Sequence, residues 1–219
     1  MNDINRLNIT SKEIYRLRKQ FFNDSAERWI DMWYRNRETG AYDRHARDFE
    51  RLFRLLPLGN GDTILDAGCG TGVLVPFLLE RIGVKGILYE LDFAEEMIVV
   101  NRRLHKEGNI RFVVSDLENA PLADAACDVA ICFSCFPHFQ DKAQALTTLA
   151  RILKPGGTLV ISHFDSSEGI NHHHNSCHAV MHDRLPDEGA MRALFRQAHI
   201  IVEVFCDEPG FYAIRGRKP

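Results

Sequence analysis

The chain has 219 residues, 45% of them hydrophobic and 26% charged. That suffices for one α/β domain with an appendage and is short for two full domains. A formal net charge of −3 sets up no global field toward nucleic acid. No apolar run is long enough to span a bilayer, and Met1 to Arg18 lacks the apolar block of a signal peptide. A cytoplasmic protein with neither nucleic-acid nor membrane partners is therefore expected.

Read in chain order, the first 56 residues are helical. Ser11 is a candidate N-cap ahead of Ile14, Leu17, Phe21 and Phe22, and Asp24 or Ser25 for a segment holding Trp29, Met32 and Trp33. A third helix is predicted from about Tyr42 to Leu56, and Pro57 to Gly61 ends it. Strands are then predicted at 63–66, 86–91, 110–114, 128–133 and 158–163, with helices at 73–82, 93–106, 141–153 and 188–198. Such alternation implies right-handed crossovers and a parallel sheet covered on both faces. Two further strands, 200–205 and 211–214, flank the turn at Asp207 to Gly210 and read as an antiparallel hairpin. Lys154 to Gly157 reads as a Pro-Gly turn.

The most informative stretch is Asp66-Ala67-Gly68-Cys69-Gly70-Thr71-Gly72. A strand ends in an acid, a Gly-x-Gly-x-Gly turn follows, and a helix begins. A dinucleotide fingerprint would need glycine at position 73, which is Val73, and a phosphate loop would need Lys after Gly72. The heptapeptide resembles the first motif of class I S-adenosylmethionine-dependent methyltransferases. The resemblance covers residues 62–164 well, the final hairpin reasonably and the first 56 residues poorly.

It implies a Rossmann-like, seven-stranded, mostly parallel sheet with helices on both faces and a C-terminal antiparallel hairpin. Residues 1–57 would form an N-terminal helical cap over a methyltransferase domain at 58–219, with 165–187 an acceptor-side insertion. Asp66, Gly68, Cys69, Gly70, Thr71 and Gly72 would cradle the methionine moiety of the cofactor, Asp66 orienting the loop and the ammonium group. In Tyr89 to Met97, which resembles the second motif, Asp92 would accept from the ribose hydroxyls, with Glu90 as the runner-up and Phe93 and Met97 beside it. Asp116 and the Leu117 N–H would read adenine, and Phe133 would belong to the same cofactor site. Asp66 could instead merely cap the turn, and Asp92 could be a helix cap.

Candidates for the chemistry follow the fourth and fifth strands. His138 and His163 sit at adjacent strand ends and are the candidate general bases, or else only shape the pocket. Cys132 reads as strand core and Cys135 as pocket wall, and all six cysteines are expected to be reduced. Six histidines lie between 163 and 182. Were that segment helical, His174, His178 and His182 would share a face. His174, His178 and His163 are the candidate ligands of a divalent metal. Polar substrate contacts and an inert cluster are the other readings.

Tyr15, Trp29 and Trp33 are the first choices for lid contacts over the cofactor. The expected activity is in-line methyl transfer to a small-molecule acceptor by a monomer or homodimer. A non-catalytic binder of S-adenosyl compounds or metal is the alternative, and a nicotinamide-dependent oxidoreductase is disfavoured by Val73 and the hairpin.

Overall fold

The computed structural model describes residues 10–219, so the first nine residues of the expected cap lie outside it. Seven strands form one sheet: β1 (Thr63–Ala67), β2 (Ile87–Asp92), β3 (Ile110–Val114), β4 (Cys127–Phe133), β5 (Leu153–His163), β6 (Ile201–Glu208) and β7 (Phe211–Arg217). Their order is β3-β2-β1-β4-β5-β7-β6. β1 to β5 pair in parallel, and β7 is antiparallel to both β5 and β6. Strand order reverses beside β1, so the crevice beyond the carboxyl ends of β1 and β4 is where a ligand belongs.

Eight helices accompany the sheet among the described residues: α1 (Ser11–Ser25), α2 (Trp29–Trp33), α3 (Ala46–Leu55), α4 (Val75–Ile82), α5 (Glu95–Leu104), α6 (Lys142–Ile152), α7 (Ser167–Asn175) and α8 (Glu188–Gln197). Alternation along the strands divides the core. Leu65, Cys132 and Leu159 face α6 and α8 and pack with Leu146, Leu149 and Phe195. Ile64, Ile131 and Val160 face the other way, onto Leu52 of α3 and Leu78 of α4. A third cluster joins α1 to α5 through Phe22, Ala26, Ala94, Met97 and Val100. Each Leu, Ile, Val, Met or Phe among them contributes roughly 1.5–3 kcal/mol through its burial.

Several boundaries differ from expectation for local reasons. Thr10, not Ser11, caps α1: its hydroxyl accepts from the Glu13 N–H while the Glu13 carboxylate accepts from the Thr10 N–H at 2.8 Å, a reciprocal capping box. Neither Asp24 nor Ser25 caps a second helix, because α1 runs through both and passes by a single 3₁₀ turn into α2. The third helix starts at Ala46 rather than Tyr42, since the chain just before it is held in a turn in which the Ala46 N–H donates to the Asp43 carbonyl at 3.1 Å. β5 begins at Leu153, so Lys154 to Gly157 form an irregular first part of the strand, with Gly156 at φ +78°.

Candidate active site

The loop after β1 is shaped by its glycines. Gly68, Gly70 and Gly72 all have positive φ, at +74°, +54° and +84°. A Cβ on Gly68 would stand 2.6 Å from Cys135 Cβ, and one on Gly72 only 2.4 Å from Asn101 Oδ1. Gly68 and Gly70 line a cleft of about 850 Å³, together with Cys69 and Thr71. Gly72 lies outside it, packed on Asn101, and serves the turn. α4 begins only at Val75, two residues later than expected.

Asp66, Asp92, Phe93, Met97, Asp116, Leu117, Phe133 and His138 line the same cleft. Asp92 ends β2 and accepts from the Gly70 N–H and the Ala94 N–H, each at 2.9 Å. It thus serves as a turn cap and ties β2 to the glycine loop, while each oxygen keeps a second lone pair for another donor. Burial raises its pKa to about 6 against the pull of those N–H groups. Asp66 is buried, with Oδ1 lacking a hydrogen-bond partner among the described residues. Burial, and then the Asp92 charge, push its pKa up to about 8.

Glu90 is fully buried below the loop, donor-matched by Asn101 Nδ2 at 2.7 Å, and lines no part of the cleft. A buried orphaned carboxyl oxygen and a cradle that a side chain would fill are features suited to S-adenosylmethionine. Asp66 and the loop would hold its amino-acid end and Asp92 its ribose, and Asp116 with Leu117 would hold its adenine.

α1 covers this cleft. Tyr15 donates from its hydroxyl to Asp116 Oδ2 at 3.1 Å, and Trp29 lies 3.5 Å from where a Cβ on Gly70 would be. Tyr15 and Trp29 line this first cleft, whereas Trp33 lines a second cleft of about 1130 Å³ instead. The second cleft shares Phe22, Trp29, Tyr34, Phe133, Ser134 and His138 with the first and adds His163, Phe164, His173 and His174. Its wall is largely aromatic: Phe133 and Phe164 rings lie 4.6 Å apart, and Trp33 and His173 rings meet edge to face at 5.6 Å.

His138 stands where the two clefts meet, on the 3₁₀ turn after β4. Lys142 braces that turn by donating to the carbonyls of Pro137 and Phe139 at 2.9 and 3.1 Å. The Nδ1 atom of His138 is 2.7 Å from Asp183 Oδ2. Burial holds its pKa below the ordinary imidazole value, although Asp183 pulls it the other way. His163, at the end of β5, is buried with Nε2 sealed and unpartnered among the described residues, and burial drives its pKa to about 3.

The expected metal set does not assemble. α7 stops at Asn175 because the chain tightens there: the Ser176 and Cys177 N–H groups bond the His173 and His174 carbonyls, each at 3.1 Å. His174, His178 and His182 therefore share no helix face. His174 is buried, with Nδ1 donating to the Asp183 carbonyl at 2.9 Å, while His178 and His182 are exposed. Among the described residues no three His, Cys, Asp or Glu side chains are grouped to hold a metal ion. Cys132 is strand core and Cys135 a cleft wall, its thiol donating to the Ala67 carbonyl at 2.9 Å.

Sheet order, the antiparallel last strand and a glycine loop facing a carboxylate at the end of β2 define a class I S-adenosylmethionine-dependent methyltransferase fold. Comparison agrees: residues 65–161 match the family model described as a methyltransferase domain. Residues 65–161 are thus similar to that family's domain. It is 34% identical over 133 residues to a malonyl-(acyl-carrier protein) O-methyltransferase of Marinomonas, an alignment covering 58% of this chain and 48% of that protein. It is 32% identical over 108 residues to the ubiquinone/menaquinone biosynthesis C-methyltransferase UbiE of Vibrio vulnificus, covering 48% of this chain and 42% of the relative.

The chain thus spans about half the length of the curated relatives it matches. Among solved structures, a putative methyltransferase of Haloferax volcanii, in complex with a methyltransferase activator, superposes with a TM-score of 0.74 at 23% identity, covering 90% of this chain and 97% of that one. That likeness concerns the fold.

Sequence reasoning missed the ion pair of Arg18 with Asp183, both buried. Phe22 and Tyr34, among the N-terminal aromatics expected to cover the site, line both clefts. No helix among the described residues is long and apolar enough to cross a membrane.

Proposed function

We propose that this protein is an S-adenosylmethionine-dependent methyltransferase that moves a methyl group in line onto a small-molecule acceptor. The observation that carries the reading is the meeting of two clefts at His138, Phe133 and Ser134: one is built from the glycine loop and acids, the other is aromatic. The cofactor supplies an electrophilic methyl group on a sulfonium. The chain's own part is to hold both molecules at near-attack distance, exclude water and accept a proton.

On this reading Asp92 holds the ribose, Asp66 the ammonium group, and Asp116 with the Leu117 N–H the adenine. Phe93, Met97 and Phe133 supply apolar walls. α1 and α2 form the lid within a cap at 1–57, residues 58–219 the methyltransferase domain, and 165–187 its acceptor-side insertion. His138 is favoured over His163 as the base, because His138 opens onto both clefts whereas His163 Nε2 is sealed. The relatives are named for transfer to oxygen and to carbon, so the acceptor atom is open between these and sulfur or nitrogen. The protein would act in the cytoplasm as a monomer or homodimer.

The test is to incubate the protein with S-adenosylmethionine and a panel of phenols, thiols, carboxylates and quinols, following S-adenosylhomocysteine formation. Product formed only with acceptor supports the proposal. Cofactor binding without turnover on any class would favour a non-catalytic binder.

A further inference from the structure

Asp183 lies in the segment between α7 and α8, is 2% exposed, and lines neither cleft. Three other parts of the chain nonetheless converge on it. Arg18 of α1 reaches it with Nε at 2.8 Å from Oδ2 and Nη2 on Oδ1. His138 Nδ1 meets Oδ2 at 2.7 Å, and His174 Nδ1 meets the Asp183 backbone carbonyl. Arg18 is itself only 5% exposed. A buried guanidinium and a buried carboxylate persist only as a pair, so Asp183 is ionised. Burial alone would raise its pKa, but the hydrogen bonds from His138 and Arg18 outweigh that and hold it below the usual carboxylate value.

An ionised carboxylate only accepts hydrogen bonds. The Nδ1 atom facing it must therefore carry the proton, and in a neutral imidazole Nε2 is then an acceptor. This tautomer fits an acceptor molecule that arrives with a proton on its nucleophilic atom.

We propose that Asp183 is a positioning residue which fixes His138 as the Nδ1–H imidazole, ready at Nε2 to take a proton from an O–H, S–H or N–H acceptor, and that Arg18 makes this arrangement depend on α1 being docked. It deepens the methyltransferase reading and rests on it. In the step, the acceptor's X–H bond breaks and its proton goes to Nε2. The X–CH3 bond forms as the sulfonium C–S bond breaks, its electron pair staying on sulfur. The imidazolium so formed beside Asp183 later returns its proton to water.

The experiment is a ¹⁵N–¹H long-range correlation spectrum of the histidine-labelled protein near neutral pH, with His138→Asn used for assignment. Amide hydrogen exchange of α1 is followed alongside. The expected wild-type spectrum has a protonated Nδ1 and a bare Nε2 on His138. Asp183→Asn should lose that preference, and Arg18→Met should speed α1 exchange at least about tenfold.

A wild-type His138 protonated at Nε2, or an unchanged tautomer in Asp183→Asn, would overturn the positioning role. Unchanged α1 exchange in Arg18→Met would overturn the dependence on the lid. Should Asp183→Asn fail to fold, the wild-type tautomer and the Arg18→Met exchange decide. Calorimetry of the wild type with S-adenosylhomocysteine reports separately on the methyltransferase reading, because neither spectrum nor exchange requires cofactor.

Discussion

Asp66 and Glu90 are register partners on the adjacent parallel strands β1 and β2, and both carboxyls are buried beneath the glycine loop. Burial raises each above the usual carboxylate value, reinforced at Asp66 by the Asp92 charge, which takes it to about 8, and at Glu90 by the Asp66 charge. Unfolded, Asp66 titrates near 3.8, so the folded chain binds more protons throughout the interval between. Stability from this group is therefore fullest below pH about 4 and is lost as pH rises toward about 8. Thermal melts of the cofactor-free protein between pH 6 and 8 should show a falling midpoint, about 2–4 °C for each ~1 kcal/mol. Asp66→Asn should flatten that slope; an equally steep slope in the variant would remove Asp66 as its source.

The same raised carboxyl makes a prediction for cofactor binding. An ammonium group placed beside Asp66 favours its charged form, so S-adenosylmethionine should displace a fraction of a proton near pH 7. Calorimetric enthalpies in phosphate and in Tris should then differ in proportion to buffer ionisation. Identical enthalpies would place the ammonium elsewhere.

Asp92→Ala removes the acceptor of the Gly70 and Ala94 N–H groups along with the proposed ribose contact. Cofactor affinity should fall by about 2 kcal/mol or more, accompanied by a lower melting temperature. Affinity held within a factor of about three, roughly 0.7 kcal/mol, would remove Asp92 from the ribose contact.

His138→Asn should reduce turnover by about 10²–10⁴, the usual contribution of a positioned base, while S-adenosylhomocysteine affinity stays within about threefold. Equal losses in both would mean His138 shapes the cofactor cleft rather than serving the acceptor. His163→Asn should change turnover little, since its Nε2 is sealed.

Tyr15→Phe deletes the hydroxyl that reaches Asp116 and leaves the ring against Phe93, 5.7 Å between centroids. One hydrogen bond of about 1 kcal/mol should be lost from lid docking. Stopped-flow measurement should find S-adenosylhomocysteine leaving several-fold faster; an unchanged rate would mean α1 does not limit cofactor exit.

Most of the fold was legible because its signals are local. Strand and helix alternation, the glycine run after Asp66 and the turn before Phe211 each place an element without help from distant residues. Motif spacing singled out the acids Asp92 and Asp116, and both line the first cleft. The support beneath His138 was not legible, since the Arg18–Asp183 pair joins residues 165 positions apart. In sequence, Arg18 looks like one more charged residue of an amphipathic helix, and nothing near Asp183 marks it as its partner. The histidine run misled for the opposite reason: closeness in sequence suggested one face, but the helix ends at Asn175 and splits the cluster.

The central claim is that the cleft under α1 binds S-adenosylmethionine, and calorimetric titration of the purified protein with S-adenosylmethionine and S-adenosylhomocysteine tests it most directly. Saturable micromolar binding of both, weakened in Asp92→Ala, is the predicted result. A folded protein that binds neither would contradict the claim and leave a methyltransferase fold without its cofactor.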